Sequence, residues 1–263
     1  MTVTITAENI TLCYGHRKVF DELCFNLKPG QITGLVGPNG CGKSTIIKGL
    51  SRILRTARGR INLNGRNINT ISRLELARII GVVPQIPLLP GTFTGFEVVL
   101  MGRNPHMGFF RYEGETDLKI ALEAMVMTRT DHLAGRRIGE LSGGEIQSIV
   151  IARVLAQQTD AILLDEPTAN LDIGRQIEVL DLMRELCDRG VTIAIALHDL
   201  NLAAQYCDRI ILLSGGKIIA KGRPEDVINE SNIHSVYGKG GAVYDIDGKP
   251  VVVPKSARIT GAV

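Results

Sequence analysis

The stretch QITGLVGPNGCGKSTIIKGL, Gln31 to Leu50, constrains the fold of this chain more than any other. QITGLVG reads as a short buried strand, KSTIIKGL places apolar residues at helical spacing, and a glycine-rich loop joins the two. The loop fits G-x-x-x-x-G-K-S/T and lies where that pattern has a mechanism, after a strand and opening a helix. Glycines let backbone N–H groups close around phosphates at a helix N-terminus. The predicted cradle comprises Gly37, Asn39, Gly40, Cys41, Gly42, Lys43, Ser44 and Thr45. Lys43 supplies positive charge to β- and γ-phosphates, and the Ser44 hydroxyl suits Mg²⁺. Cys41 sits beside Lys43 and a helix N-terminus, two features that lower a thiol pKa, so it is read either as a reactive thiol or as an inert, shielded one.

A strand–loop–helix of this kind needs a sheet around it. The 263 residues suffice for one large domain or a core with an inserted subdomain. The formal charge of +3 leaves no footprint for nucleic acid, and five irregularly spaced cysteines fit a reducing compartment. No apolar run approaches the ~18 residues of a membrane span, and MTVTITAENI lacks the basic and apolar regions of a signal peptide. The expected location is the cytoplasm, with any membrane contact made through a partner.

Two alternating stretches, TVTITAENITLCYG and KVFDELCFNLKPG, predict strands that turn at Gly15 and His16, and Asn64-Gly65 predicts a hairpin. IIGVVPQ reads as a buried strand stopped by Pro84. From 90 to 157 helical spacing takes over, so the chain divides into a core (1–89 and 158–223), an inserted helical subdomain (90–157) and a C-terminal helix and hairpin (224–263). Strands alternating with helices after Gln157 predict an α/β core with a mainly parallel sheet.

Two further motifs carry chemistry. AILLDEP buries a strand and delivers Asp165 and Glu166 at its C-terminal end, where such sheets place ligands. Asp165 is a candidate Mg²⁺ holder, and Glu166 can polarise water toward a γ-phosphate. GELSGGEIQSIVIAR sets Ser142, Gly143 and Gly144 before a helix, a second anion cradle in a chain that already has one.

LSGGE followed by a helix, then LLDEPTANLD, with Gln85 after a strand, resembles the ATPase subunits of ABC transporters over roughly Asn9 to Arg223. The resemblance implies a P-loop NTPase core of RecA type with an N-terminal antiparallel β subdomain and an inserted helical subdomain. It also explains the two cradles. In that family two copies dimerise head to tail, each ATP lying between the phosphate loop of one and the signature Ser142, Gly143, Gly144 and Glu145 positions of the other. Residue by residue, Tyr14 matches the aromatic that stacks on adenine, although read locally it is an ordinary strand residue. Gln85 matches the residue that senses Mg²⁺ and links to the membrane partner. Asp172 matches an aspartate crossing the dimer interface, though locally it is a helix N-cap. His198 matches the histidine that holds the γ-phosphate, with Glu166 orienting water for in-line attack. The fifth signature residue is usually glutamine, and Glu145 here is expected to alter affinity for the trans phosphate rather than abolish activity.

GRNPHMGFF and LHDLNLAAQYCDRIILLSGGKIIAKGRPEDVI resemble one subgroup, the ATPases of importers for iron–siderophore complexes, haem and cobalamin. That implies two membrane-spanning permeases, an external binding protein, and attachment to the cytoplasmic face of the membrane through the permeases. The helical subdomain and the segment after Gln85 would form the docking groove, with Phe109 and Phe110 facing either the permease or the subdomain interior. The alternatives are an exporter ATPase or a soluble ABC-type ATPase; a GTPase is disfavoured by the lack of an N-K-x-D-like segment.

Overall fold

The computed structural model describes residues 2–107, 113–169 and 171–255. Phe109 and Phe110 lie outside them. The chain opens with two long antiparallel strands, β1 (Ile5–Tyr14) and β2 (Arg17–Leu27), joined at Gly15-His16. β3 (Ile32–Val36) leads through the phosphate loop into α1 (Lys43–Leu50). β4 (Thr56–Leu63) turns at Asn64-Gly65 into the short β5 (Arg66–Asn67), and α2 (Arg73–Ile79) runs directly into β6 (Ile80–Val83). β1, β2, β4 and β5 form a four-stranded antiparallel sheet in the order β2-β1-β4-β5.

Three helices follow: α3 (Gly95–Leu100), α4 (Glu115–Met127) and α5 (Gly143–Ala156). The core resumes with β7 (Ala161–Asp165), α6 (Ile173–Asp188), β8 (Thr192–Ala196), α7 (Leu200–Tyr206), β9 (Arg209–Ser214) and β10 (Lys217–Gly222). The tail adds α8 (Pro224–Val227), α9 (Glu230–Tyr237) and the hairpin β11 (Gly241–Ile246) and β12 (Lys249–Pro254).

The second sheet has the order β10-β9-β3-β8-β7-β6, parallel except for β10. Every residue of β3, β7 and β8 is buried, as expected for strands covered on both faces. Because successive side chains point to opposite faces, neighbouring residues enter different cores. Leu35, Leu163, Ala194 and Ile211 pack with α1 and the antiparallel sheet. Val36, Leu164, Ile195 and Leu212 pack with α5, α6 and α7.

α5 ties the helical segment to this sheet. Its Val150, Ile151 and Val154 belong to the sheet core, whereas Ile149, Ala152 and Ala156 pack with Val98 and Val99 of α3 and Met125 of α4. Three details differ from the sequence reading. β10 is an extra strand after Gly215-Gly216, with alternating burial too short and half-exposed to stand out in the sequence. The helical stretch FEVVLMG ends at Leu100 and continues as a 3₁₀ turn, Met101–His106, containing Pro105. The tail holds two helices where one was expected, and its Val227, Ile228 and Ile233 enter the sheet core.

Candidate functional site

β3 and β7 flank β8 on either side, so their C-terminal loops lie at the same end of the sheet. Gly37, at φ 151, faces the Leu213 carbonyl so closely that an added Cβ would lie 2.2 Å from that oxygen. Gly42, at φ 106, packs under the Phe20 ring, where a Cβ would meet the ring carbon at 2.4 Å. The loop needs glycine at both positions, the first to approach the neighbouring strand and the second to enter α1. Asn39, Gly40 and Cys41 complete the turn ahead of Lys43, Ser44 and Thr45.

Lys43 is 4% exposed, and its ammonium donates to the Gly37 carbonyl at 3.0 Å. It lies 3.3 Å from His198 Nδ1 and 3.9 Å from Glu166 Oε1. His198 Nε2 is 2.6 Å from the same carboxylate oxygen. A neutral imidazole with its proton on Nε2 satisfies both contacts, accepting from Lys43 and donating to Glu166. The other Glu166 oxygen accepts from Gln85 Nε2 at 2.5 Å. Glu166 is thus held by an ammonium, an imidazole and an amide while only 8% exposed. Its backbone sits at φ 53, a left-handed conformation that costs a non-glycine residue of order 1–3 kcal/mol.

Ser44 donates to Asp165 Oδ1 at 2.9 Å. Burial pushes the Asp165 carboxyl above its ordinary range; the Ser44 hydrogen bond opposes that shift, and the neighbouring Glu166 charge adds to it. A buried carboxylate and a hydroxyl side by side form the oxygen donor set that a hard divalent cation prefers. Tyr14, at the end of β1, is 45% exposed, with the Lys48 ammonium 5.9 Å from its ring centroid.

Of the two readings of Cys41, the surroundings of the thiol favour the shielded one. It is buried, and burial raises its thiol pKa more than Lys43 and the loop N–H groups lower it. The shielded alternative holds, because the loop folds the sulfur inward beneath Gly37.

The second cradle lies elsewhere. Ser142 caps α5, its Oγ accepting from the Glu145 N–H at 3.3 Å, while Glu145 Oε2 receives both the Ser142 N–H and hydroxyl at 2.7 Å. This is a capping box that occupies the serine proton. Arg136 Nη1 approaches Glu145 Oε1 at 3.5 Å, a partner that sequence spacing did not reveal. The Ser142 hydrogen bonds, aided by Arg136, hold the Glu145 carboxyl below the usual range. Ser142, Gly143, Gly144 and Glu145 share a cleft of about 530 Å³ with Leu171 and Asp172. Asp172 caps α6, accepting from the Arg175 N–H at 2.9 Å. Among the described residues, no hydrogen bond or ion pair joins this group to the Lys43–Glu166 cluster.

These two constellations can be set beside known proteins. The family model described as ABC transporter matches residues 20–169. The ferric enterobactin transport ATP-binding protein FepC of Escherichia coli is 41% identical over 253 residues, covering 95% of this chain and 93% of that protein. The iron(3+)-hydroxamate import ATP-binding protein FhuC of Bacillus subtilis is 37% identical over 256 residues, covering 97% and 93%. Among solved structures, an inward-facing ABC transporter assigned to the metal-chelate type aligns at TM-score 0.83 and 28% identity, covering 98% of this chain and 99% of that one. The dimeric structure of MJ0796, a bacterial ABC transporter cassette, aligns at TM-score 0.76 and 29% identity over 84% and 98%. The match covers more than half of the chain and its relatives span nearly all of it, and the chain is therefore a member of the ABC transporter ATP-binding family, a nucleotide-binding ATPase.

Proposed function

We propose that this chain powers an importer for an iron chelate or haem, hydrolysing one ATP at each of two sites shared between two copies. The observation that carries the reading is Glu166: a buried carboxylate at the end of β7, bracketed by Gln85, His198 and Lys43. The cargo class rests on the relatives, whose names specify ferric enterobactin, iron(3+)-hydroxamate and hemin.

In this reading the loop from Gly37 to Thr45 cradles the triphosphate and Tyr14 stacks on the adenine. Lys43, now spent on the Gly37 carbonyl and His198, turns its ammonium to the β- and γ-phosphates. Ser44, Asp165 and Gln85 would hold Mg²⁺, which would neutralise charge on the phosphate oxygens. Glu166 accepts a proton from the attacking water, and its partners keep it oriented until then. His198 donates to a γ-phosphate oxygen. Ser142, Gly143 and Gly144 of the second copy close over the same phosphate, and Asp172 lines that interface. The dimer in turn docks two permeases served by an external binding protein. Among the described residues no helix is long and apolar enough to cross a membrane, which fits a peripheral subunit held by those permeases on the cytoplasmic face. Exposed Ile86 and Leu88, just past Gln85, suit the docking groove.

Hydrolysis by the purified chain, with and without Mg²⁺, tests the ATPase assignment. Co-purification from mild-detergent membranes tests the transport assignment. Recovery of a many-helix permease with a bound iron chelate or haem is the expected result, and recovery of an exporter-type or purely soluble complex would overturn it.

A further inference from the structure

His198 is held by Lys43 and Glu166, yet both of those groups have other work in the proposed reaction. Lys43 turns to phosphate and Glu166 to water, so the imidazole loses the two contacts that fix it. What then keeps the histidine in place is the backbone that carries it, and that backbone has an unusual support.

Asp199 caps α7, its Oδ1 accepting from the N–H groups of Asn201 at 2.7 Å and Leu202 at 3.1 Å. α7 has only seven residues, too few to be stable on its own. The C-terminal hairpin grips it at both ends. Asn201 Nδ2 donates to the Val252 carbonyl at 3.2 Å, and Asn201 Oδ1 accepts the Val252 N–H at 2.8 Å. The amide thus pairs with one residue of β12 in both directions, as a neighbouring strand would. At the other end Lys249 Nζ donates to the Gln205 carbonyl at 2.8 Å. Leu200, Leu202, Val243 and Val252 pack on the sheet core together with Ile233 of α9, so the hairpin and α7 share an apolar base. A cleft of about 300 Å³ is lined by His198 and Asn201 together with Tyr237, Val252 and Pro254.

We propose that the C-terminal hairpin is a brace for His198, and that Asn201 is the positioning residue through which it acts. Neither touches the nucleotide. The hairpin fixes where α7 begins, and that fixes where the imidazole stands when its own partners leave it. The inference rests on the reading of His198 as the γ-phosphate donor, and the test separates the two.

The experiment is steady-state ATP hydrolysis by the full-length chain carrying Asn201→Ala, paired with ¹⁵N spectra of the histidine side chains while a non-hydrolysable ATP analogue is bound. Five histidines make assignment tractable, with His198→Ala identifying the resonance. The brace predicts a kcat lower by about fivefold with KM for ATP changed less than about twofold, the scale of losing a positioning hydrogen bond. The His198 imidazole signal should broaden or shift from its wild-type position. Asn201→Asp, which keeps the acceptor for the Val252 N–H and loses the donor, should fall between wild type and Asn201→Ala. Lys249→Ala, which leaves Asn201 intact, should produce a weaker version of the same pattern. Wild-type kcat with an unmoved His198 signal in Asn201→Ala would overturn the brace. So would a parallel loss of kcat, nucleotide binding and melting temperature, which marks a merely structural contact. If His198→Ala hydrolyses ATP normally, the γ-phosphate role fails, while the spectra still decide whether Asn201 positions the ring.

Discussion

The two proposed phosphate cradles of this chain are built alike and finished differently. Each places glycines and a hydroxyl at the N-terminus of a helix. Around Lys43 the polar groups are closed on one another: buried Lys43 and Glu166 join with the more exposed Gln85 and His198 in one cluster within a single chain. Around Ser142 the groups line an open cleft, and the serine proton is parked on Glu145. The first gathers the groups proposed to carry out hydrolysis. The second has donors and no chemistry of its own, which is what half of a shared site should look like.

Changes that strike the closed cluster should therefore act on hydrolysis, and changes that strike the open cleft on assembly. The largest expected effect is Glu166→Gln, which keeps the shape and removes the proton acceptor. Turnover should fall by about two to four orders of magnitude while nucleotide binding is retained, read by single-turnover hydrolysis beside equilibrium binding. Near-normal turnover would remove Glu166 from its assigned role.

Ser142→Ala should come next, lowering turnover by about a hundredfold, as loss of a preorganised donor does. Binding of ATP to the isolated chain should not change, because the serine serves the partner's nucleotide. A weakened monomer affinity, measured by calorimetry, would place Ser142 in its own chain's site. The capping role costs helix stability as well, by about 1 kcal/mol, so the melting temperature should be followed in parallel.

Glu145→Gln sharpens the comparison. It removes a negative charge from beside the expected trans phosphate, so ATP-driven association should tighten by about three- to fivefold, the scale of a screened surface charge. The same substitution should change the acid limb of stability. Hydrogen bonds from Ser142, with help from Arg136, depress the folded-state pKa of Glu145. Its stabilisation is therefore present above the unfolded carboxyl pKa and lost as pH falls through the folded value. Wild type should lose more stability than Glu145→Gln across that acidic window in pH-dependent melting curves, and identical curves would show that the capping box contributes nothing.

The smallest effect concerns Cys41. A buried thiol with a raised pKa should react with iodoacetamide far more slowly than exposed Cys24, as followed by peptide mass spectrometry. Fast labelling that ATP prevents would restore the reactive-thiol reading.

Local patterns were legible in the sequence. Gly37 to Thr45, the Asp165-Glu166 strand end and the Asn64-Gly65 turn each carry their chemistry within a few residues, so spacing sufficed. The partnerships were not legible. Gln85 meets Glu166 because β6 pairs with β7, and His198 meets it because β7 pairs with β8, registers that no single segment encodes. Arg136 reaches Glu145 across the 3₁₀ turn Ile138–Glu140, and Asn201 pairs with a strand some fifty residues later. Cys41 was left open for the same reason: its local neighbours lower a thiol pKa, but burial beneath the folded loop outweighs them.

The central claim is that the two cradles complete one another across two copies. Sedimentation equilibrium of Glu166→Gln with saturating ATP and Mg²⁺, compared with the Glu166→Gln, Ser142→Ala double variant, tests it most directly. The account predicts a dimer holding two ATP for the first and a monomer holding one ATP for the second. A Glu166→Gln chain that stays monomeric with bound ATP, or a dimer indifferent to Ser142, would contradict it.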